Sequence, residues 1–100
     1  MLYPVAMGIG KRIRIARERL KMGQETLAAA VGVTKQAVYE WECNNKSPQS
    51  DKLPAVRQAI RVTFAWLLVG DGPPPDPESP EVRMDDWMVA AFQKKPTKSA

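Results

Sequence analysis

Apolar residues recur every three or four positions in the segment from 9 to 22, and basic side chains fill many of the positions between them. Such spacing places the apolar side chains on one face of a helix. The pattern therefore predicts a first amphipathic helix that ends before Gly23. Its apolar face consists of Ile9, Ile13, Ala16 and Leu20.

Two shorter helices are predicted next, separated by a turn at Gly32. The first covers 24–31, and Gly32 ends it because glycine adopts the left-handed conformation without strain. Thr34 is a suitable N-cap for the following helix, which runs to about Cys43. Two short helices joined by a three-residue turn have the spacing of a helix-turn-helix.

Two further helices are predicted before residue 70. Ser50 or Asp51 is a suitable N-cap for a fourth helix that continues to about Ile60. Pro54 is tolerated there because it falls in the first turn. A fifth helix is predicted at 64–69, which is rich in large apolar side chains and is followed by glycine. No strand pattern interrupts this series, so the predicted fold class is all-α, with a compact five-helix bundle.

The last thirty residues have a different composition. Five prolines fall within 71–80, which predicts an extended linker that is neither helix nor inner strand. Beyond it, 84–92 is predicted to form one or two amphipathic turns, with an apolar face of Met84, Trp87, Met88 and Ala91. The predicted organisation is an N-terminal arm at 1–8, a helical domain at 9–70, a Pro-rich linker at 71–80 and a C-terminal tail at 81–100.

Charge is distributed unevenly between these parts. Residues 1–70 carry 11 basic and 5 acidic side chains, whereas residues 71–100 carry 4 basic and 6 acidic ones. A basic body without a long apolar face favours a nucleic-acid partner over a membrane.

The residue types exclude several classes of site. The chain has no histidine, and Cys43 is its single cysteine, so an internal disulfide and the usual zinc sites are excluded. We expect no cofactor, no metal and no enzymatic activity, because neither a phosphate loop nor a nucleophile beside a base is evident. No segment has the length of a membrane span or the core of a signal peptide, which predicts a cytosolic protein.

The segment QETLAAAVGVTKQAVYEWE, residues 24–42, resembles the helix-turn-helix of lambdoid phage repressor and Cro proteins, also called Xre-like regulators. The resemblance extends over 9–70. It implies a lambda-repressor-like DNA-binding domain acting as a transcription regulator in the cytoplasm of a bacterial host cell. The matching positions are Gln24, the small Ala28 between the two helices, Gly32 at the turn, and the inward-facing Val38 and Trp41.

In this family the third helix lies in the major groove of DNA. Its outward positions here are Thr34, Lys35, Gln36, Tyr39 and Glu40. By base chemistry, Lys35 is suited to guanine, Gln36 to adenine through two hydrogen bonds, and Glu40 to the amino group of cytosine. Tyr39 is suited to a thymine methyl group or a phosphate.

Other residues are expected to contact the DNA backbone. Gln24 stands at the start of the second helix, where its amide and the unpaired backbone N–H groups suit a phosphate. Asn44, Asn45 and Lys46 follow the third helix and are expected at the opposite backbone. The family usually has a glycine near Asn44, but asparagine also tolerates the left-handed conformation.

The resemblance further implies a structural salt bridge between Arg17 in the first helix and Glu42 at the end of the third. The family pair is partly buried. A bridge in that position would determine the direction in which the third helix projects.

Three readings of function follow. The first is a repressor or Cro-like regulator that binds a pseudo-palindromic operator as a homodimer, with the dimer contact supplied by the fifth helix and the apolar residues of the tail. The second is an antitoxin-like or other protein-binding module that uses the tail to hold a protein partner. The third is the DNA-binding part of a larger repressor.

Overall fold

The computed structural model describes residues 8–70 and 72–93, with side chains described as far as Trp87. This part of the chain is all-α, as predicted, and a short 3₁₀ turn at Ser50–Lys52 leads into the fourth helix. The helices are α1 (Ile9–Arg19), α2 (Gln24–Val31), α3 (Lys35–Glu42), α4 (Leu53–Ile60), α5 (Phe64–Val69) and α6 (Pro80–Gln93).

Helix α1 ends earlier than its apolar pattern predicts, at Arg19 and not near Met22. Lys21 adopts a left-handed conformation with φ 56°, which stops the helix. The N–H of Met22 then donates to the carbonyl of Arg17 at 3.1 Å, and that of Lys21 donates to Glu18 at 2.9 Å. These two bonds satisfy carbonyl groups that the helix end would otherwise leave unpaired.

The core lies between α1, α2, α3, α4 and α5. Val38 and Trp41 are buried, as predicted for the inner face of α3, and Ala28 is buried where α2 meets α3. Helices α1 and α3 approach so closely that a Cβ atom on Gly10 would lie 2.0 Å from the carbonyl oxygen of Trp41. The fully buried apolar side chains of this core are Ile13, Ala16, Leu27, Val38, Val56, Ile60, Val62 and Leu67.

The segment after residue 70 departs from the sequence prediction. Pro80 is the first residue of α6, so the prediction that all of 71–80 is non-helical is wrong at its last position. Proline is tolerated there because the first N–H groups of a helix have no acceptor within it. The helix has 14 residues, more than one or two turns.

The buried face of α6 also differs from the predicted one. Val82 is fully buried, whereas Met84 and Trp87 remain 59% and 69% exposed. The predicted face had placed Met84 and Trp87 together with Met88 and Ala91, whose side chains lie outside the described ones. Among its described side chains, α6 contacts the body through Val82, Asp85 and Asp86.

Hydrogen bonds hold the described part of the predicted linker against the helical body. Arg19 donates to the carbonyl of Pro75, Arg61 donates to that of Pro77, and the Trp66 indole donates to that of Gly72 at 3.4 Å. The chain between α5 and α6 is thus anchored at three carbonyl groups.

Ion pairs then attach α6 itself. Asp86 accepts from Arg57 and Arg61, and Asp85 accepts from the backbone N–H of Phe64 at the start of α5 at 2.7 Å. Partial burial opposes ionisation of Asp86, but the hydrogen bonds from Arg61 and Arg57 outweigh it and lower the pKa of the carboxyl. Arg57 is fully buried, so α6 supplies the counter-charge for a guanidinium in the interior.

Candidate nucleic-acid interface

The turn between α2 and α3 is built from local hydrogen bonds. Gly32 has φ 86°, a conformation that favours glycine, and the N–H of Val33 returns to the carbonyl of Ala28 at 3.0 Å. Thr34 caps α3, since its hydroxyl oxygen accepts from the N–H of Ala37 at 3.1 Å. These contacts determine the angle at which α3 leaves α2.

A charged network fixes α3 against the rest of the body. Arg17 donates to both carboxylate oxygens of Glu42, Nε to Oε2 at 2.7 Å and Nη2 to Oε1 at 2.9 Å. Gln24 donates to Glu42 Oε1 at 3.0 Å, so that α1, the start of α2 and the end of α3 meet at one carboxylate. The hydrogen bond to Glu42 outweighs desolvation and raises the pKa of Arg17.

The arrangement of Gln24 differs in part from the sequence expectation. One N–H of its side-chain amide is directed to Glu42, which leaves the second N–H and the backbone for other contacts. Gly23 precedes the helix without a side-chain cap, and the first helical hydrogen bond runs from Leu27 to Gly23. The backbone N–H groups of 24–26 therefore have no acceptor within the helix.

The outward face of α3 carries the residues that the sequence places there. Thr34, Lys35, Gln36 and Tyr39 are exposed, and Glu40 is half-buried. Gln36 donates to the Glu40 carboxylate at 2.7 Å.

Two other side chains on this face have near neighbours. The Lys35 ammonium lies 4.0 Å from the Glu25 carboxylate and remains 60% exposed. The neighbouring Cys43 thiol raises the pKa of the Tyr39 hydroxyl.

Open concavities lie on both sides of this face. One, of about 540 Å³, is lined by Gln24, Lys35, Gln36 and Tyr39. The other, of about 340 Å³, lies between α3 and the segment that follows it, and its lining includes Glu40, Lys46, Ser47, Gln49 and Lys52. The sequence prediction did not include Ser47, Gln49 or Lys52. Lys52 could have been included, because it is a basic residue directly before the fourth helix, which follows the predicted site.

The loop after α3 begins in the left-handed conformation, which asparagine adopts here where the family usually has glycine. Asn44 has φ 63°, and the N–H of Asn45 donates to the carbonyl of Glu40 at 3.0 Å. Asn45 and Lys46 are exposed beside α3. The Asn44 side chain lies against the beginning of α1, since a Cβ atom on Gly8 would be 3.3 Å from its Oδ1. The Asn44 side chain therefore lies against α1, whereas those of Asn45 and Lys46 lie exposed beside α3.

A metal site and a membrane span each have structural requirements with which the described residues can be compared. No group of three or more acidic or cysteine side chains there could hold a metal ion. None of the helices described is long and apolar enough to cross a membrane.

Comparison with known proteins gives consistent matches. A helix-turn-helix family model matches residues 13–67. The chain is 36% identical over 63 residues to repressor protein C2 of Salmonella phage P22, covering 63% of this chain and 29% of that protein. It is 35% identical over 75 residues to the HTH-type transcriptional regulator DicA of Escherichia coli, covering 72% of this chain and 56% of that protein. The chain therefore spans less than two thirds of the length of these two curated relatives.

The fold has a close counterpart among solved structures. The crystal structure of the P22 c2 repressor in complex with a synthetic operator superposes with a TM-score of 0.63 and 35% sequence identity, covering 66% of this chain and 100% of that one. The solution structure of the P22 c2 DNA-binding domain gives a TM-score of 0.62 at 34% identity, covering 65% and 86%. With its fold, its α2–α3 turn and more than half of its residues matched in this way, the chain belongs to the Xre-like helix-turn-helix family.

Proposed function

We propose that this protein is a sequence-specific regulator of transcription that binds double-stranded DNA through α3. The observation that carries the proposal is the exposed polar face of α3, held in a fixed direction by the Arg17–Glu42 bridge. A rigid helix with exposed Lys and Gln at its N-terminal end is suited to the major groove. The relative of known structure is bound to an operator, which supports the same partner for this chain.

Base contacts are assigned to the outward face of α3. Lys35 pairs with guanine, Gln36 bonds to adenine, and Tyr39 contacts a thymine methyl group or a phosphate. Glu40 and Thr34 border the same surface.

Backbone contacts are assigned to both flanks of α3. The N–H groups at the start of α2, next to Gln24, suit one phosphate. Lys46, with Asn45 beside it and Lys52 across the smaller concavity, suits the opposite strand. Asn44 is expected to contribute mainly through its backbone conformation, because its side chain lies against α1.

The dimer contact is assigned to an apolar stripe, which consists of Leu68, Val69, Met84 and Trp87. Among the described residues, these four and Tyr39 are the large apolar side chains that stay exposed. An open groove of about 640 Å³ between α5 and α6 is lined by one of these four residues, Met84, opposite Phe64 and Ala65. Two copies related by a two-fold axis would each bury the same stripe, as a closed dimer requires.

The dimer surface and the DNA-binding face do not compete. Helix α3 packs on α1 and α2, whereas α5 packs on α1 and α4. A second copy on α5 and α6 therefore leaves α3 accessible. An antitoxin-like role, with a different protein covering the stripe, is the second candidate that its exposure supports.

Selection of bound duplexes from a random DNA pool tests the proposal. We expect an inverted repeat whose half-sites are separated by about one helical turn, roughly 10 base pairs centre to centre. Gln36→Ala should then weaken the selected site by about 1–3 kcal/mol and relax one base position. Lys46→Ala should weaken selected and random duplexes alike. Enrichment of no motif would show that the protein does not read sequence.

A further inference from the structure

Gln36 and Glu40 form a hydrogen-bonded pair on the face proposed to read DNA. They stand four residues apart on α3, and Gln36 Nε2 lies 2.7 Å from Glu40 Oε2. The short distance is typical of a hydrogen bond to a charged acceptor. Both side chains line the concavity that also contains Lys46 and Lys52, and Gln36 is exposed whereas Glu40 is half-buried. Of the two, Gln36 is thus the more accessible to a DNA base.

The pair determines which way the carboxamide faces. A carboxylate accepts hydrogen bonds but has none to donate, so only the NH₂ end of Gln36 can be directed to Glu40. Rotation of the amide by 180° would bring its oxygen against the carboxylate. Of the two orientations that a free glutamine samples, Glu40 thus selects one.

The selected orientation has a definite hydrogen-bonding pattern. With one N–H of Gln36 engaged, the side chain still presents a second N–H and the oxygen Oε1. One donor beside one acceptor matches adenine, which offers N7 as an acceptor and N6 as a donor in the major groove. Guanine offers two acceptors there and is not matched.

We propose that Glu40 is a positioning residue, which holds Gln36 in the orientation that reads adenine. The two side chains then specify a single base pair. This inference rests on the proposed function. It replaces the sequence-based expectation that Glu40 contacts a cytosine directly, which would specify a second base pair.

Selection from a random duplex pool, repeated with α3 variants, tests the inference. For the wild type we expect adenine at one position of each half-site. Gln36→Ala should flatten that position, with a loss of about 5- to 150-fold of discrimination. Glu40→Ala should lower discrimination at the same position by a smaller factor, at least about twofold, because the freed carboxamide still samples the orientation that reads adenine. The double variant should lose no more than Gln36→Ala alone, because Glu40 acts through Gln36.

The conservative variant separates positioning from other roles of the carboxylate. In Glu40→Asp the shorter side chain still accepts and cannot donate, and a Gln–Asp pair four residues apart on a helix can hydrogen-bond, so the adenine preference should be retained. Loss of the preference in Glu40→Asp, to the extent seen in Glu40→Ala, would overturn the positioning role.

Two controls complete the experiment. Glu78→Ala removes an exposed carboxylate next to α6, away from α3, and should leave every base preference unchanged. Circular dichroism should give the same spectrum for all variants and melting temperatures within a few degrees of each other, because a hydrogen-bonded pair four residues apart on a helix contributes only about 0.2–0.5 kcal/mol. A change at a second base position in Glu40→Ala, with the Gln36 position intact, would overturn the inference and leave the proposed function standing. A wild type that enriches no motif would remove both.

Discussion

Arg17 and Glu42 are 25 positions apart and meet at the junction of three helices. Their side chains are only 10% and 5% exposed, so each has lost most of its hydration. Removal of one member leaves the other charged and buried, which is costly even where the intact pair adds little stability. The neighbouring Arg14–Glu18 pair is about half exposed and provides a matched comparison.

Arg17→Met should therefore lower the free energy of unfolding by about 3–5 kcal/mol, the usual cost of breaking a buried pair. Methionine retains much of the aliphatic stem, so the loss reports mainly the charge. Arg14→Met should cost at most about 1 kcal/mol, because its partner stays hydrated. Urea denaturation of both variants measures the difference. Similar losses in the two would contradict the role assigned to the Arg17–Glu42 bridge.

The close contact at Gly10 leads to a second prediction about a single residue. A methyl group on it would lie 2.0 Å from the Trp41 carbonyl oxygen, so α1 and α3 must move apart in Gly10→Ala. We expect a loss of about 1–3 kcal/mol of stability, typical of overpacking, despite the better helix propensity of alanine. Binding to the selected operator should weaken as well, because α3 changes direction.

Gly23→Ala is the matched control for that substitution. No atom lies within 4 Å of the added methyl group, and the φ of −79° is accessible to alanine. Its stability should change by less than about 1 kcal/mol. Thermal and urea unfolding of the two variants, with operator titrations, check both expectations. Equal effects would show that the close approach of α1 and α3 is not restrictive.

Among the elements, α2 and α5 were predicted with their observed bounds, whereas α6 was not. Each of these helices is followed by a glycine, Gly23 interrupts the pattern before α2, and the Thr63 hydroxyl caps α5, so local sequence delimits them. Helix α6 has a weakly apolar pattern that starts within a proline-rich segment. Its stability comes from contacts with α4 and α5, which no local pattern contains.

The attachment of α6 should depend on pH. The pKa of Asp86 is lowered in the folded chain from its ordinary value of 3.8, so the pair adds stability above that value and loses it as the pH falls through the folded-state pKa. Asp86→Asn should cost about 1–3 kcal/mol at neutral pH, because it leaves the buried Arg57 without its anionic partner.

Urea denaturation of wild type and Asp86→Asn over a pH series measures this contribution. The difference between them should be constant near neutrality and shrink as the pH falls below 3.8. Glu81→Gln on the exposed side of α6 should differ from wild type by less than about 0.5 kcal/mol. A difference that does not vary with pH would mean that Asp86 acts through packing.

At the scale of the whole molecule, the described residues form a polar surface on α3 and, separate from it, the apolar stripe on α5 and α6. If the stripe forms a dimer, Trp87 is its largest side chain and should contribute as interface aromatic residues usually do. Trp87→Ser should then raise the dimer dissociation constant by at least about tenfold. Sedimentation velocity over a concentration series, with and without operator DNA, measures it.

Tyr39→Ser is the matched control for Trp87→Ser, since Tyr39 is the exposed aromatic residue on the other surface. It should leave self-association unchanged and weaken operator binding. If Trp87→Ser has no effect on self-association in either condition, the stripe is not the dimer contact, and a different protein partner becomes its preferred occupant.

The sequence by itself determined the all-α class, the helix-turn-helix with its Gly32 turn and Thr34 cap, and the outward residues of α3. These features depend on helical periodicity and on residues that favour a particular backbone conformation, and both are local properties. The family resemblance added the Arg17–Glu42 pair. Only the tertiary structure decided that α6 packs on the body through Val82 and Asp86, because the buried charge of Arg57 selects a partner 29 residues away. Likewise, the hydrogen bond between Gln36 and Glu40 depends on side-chain orientation, which helical spacing permits but does not determine.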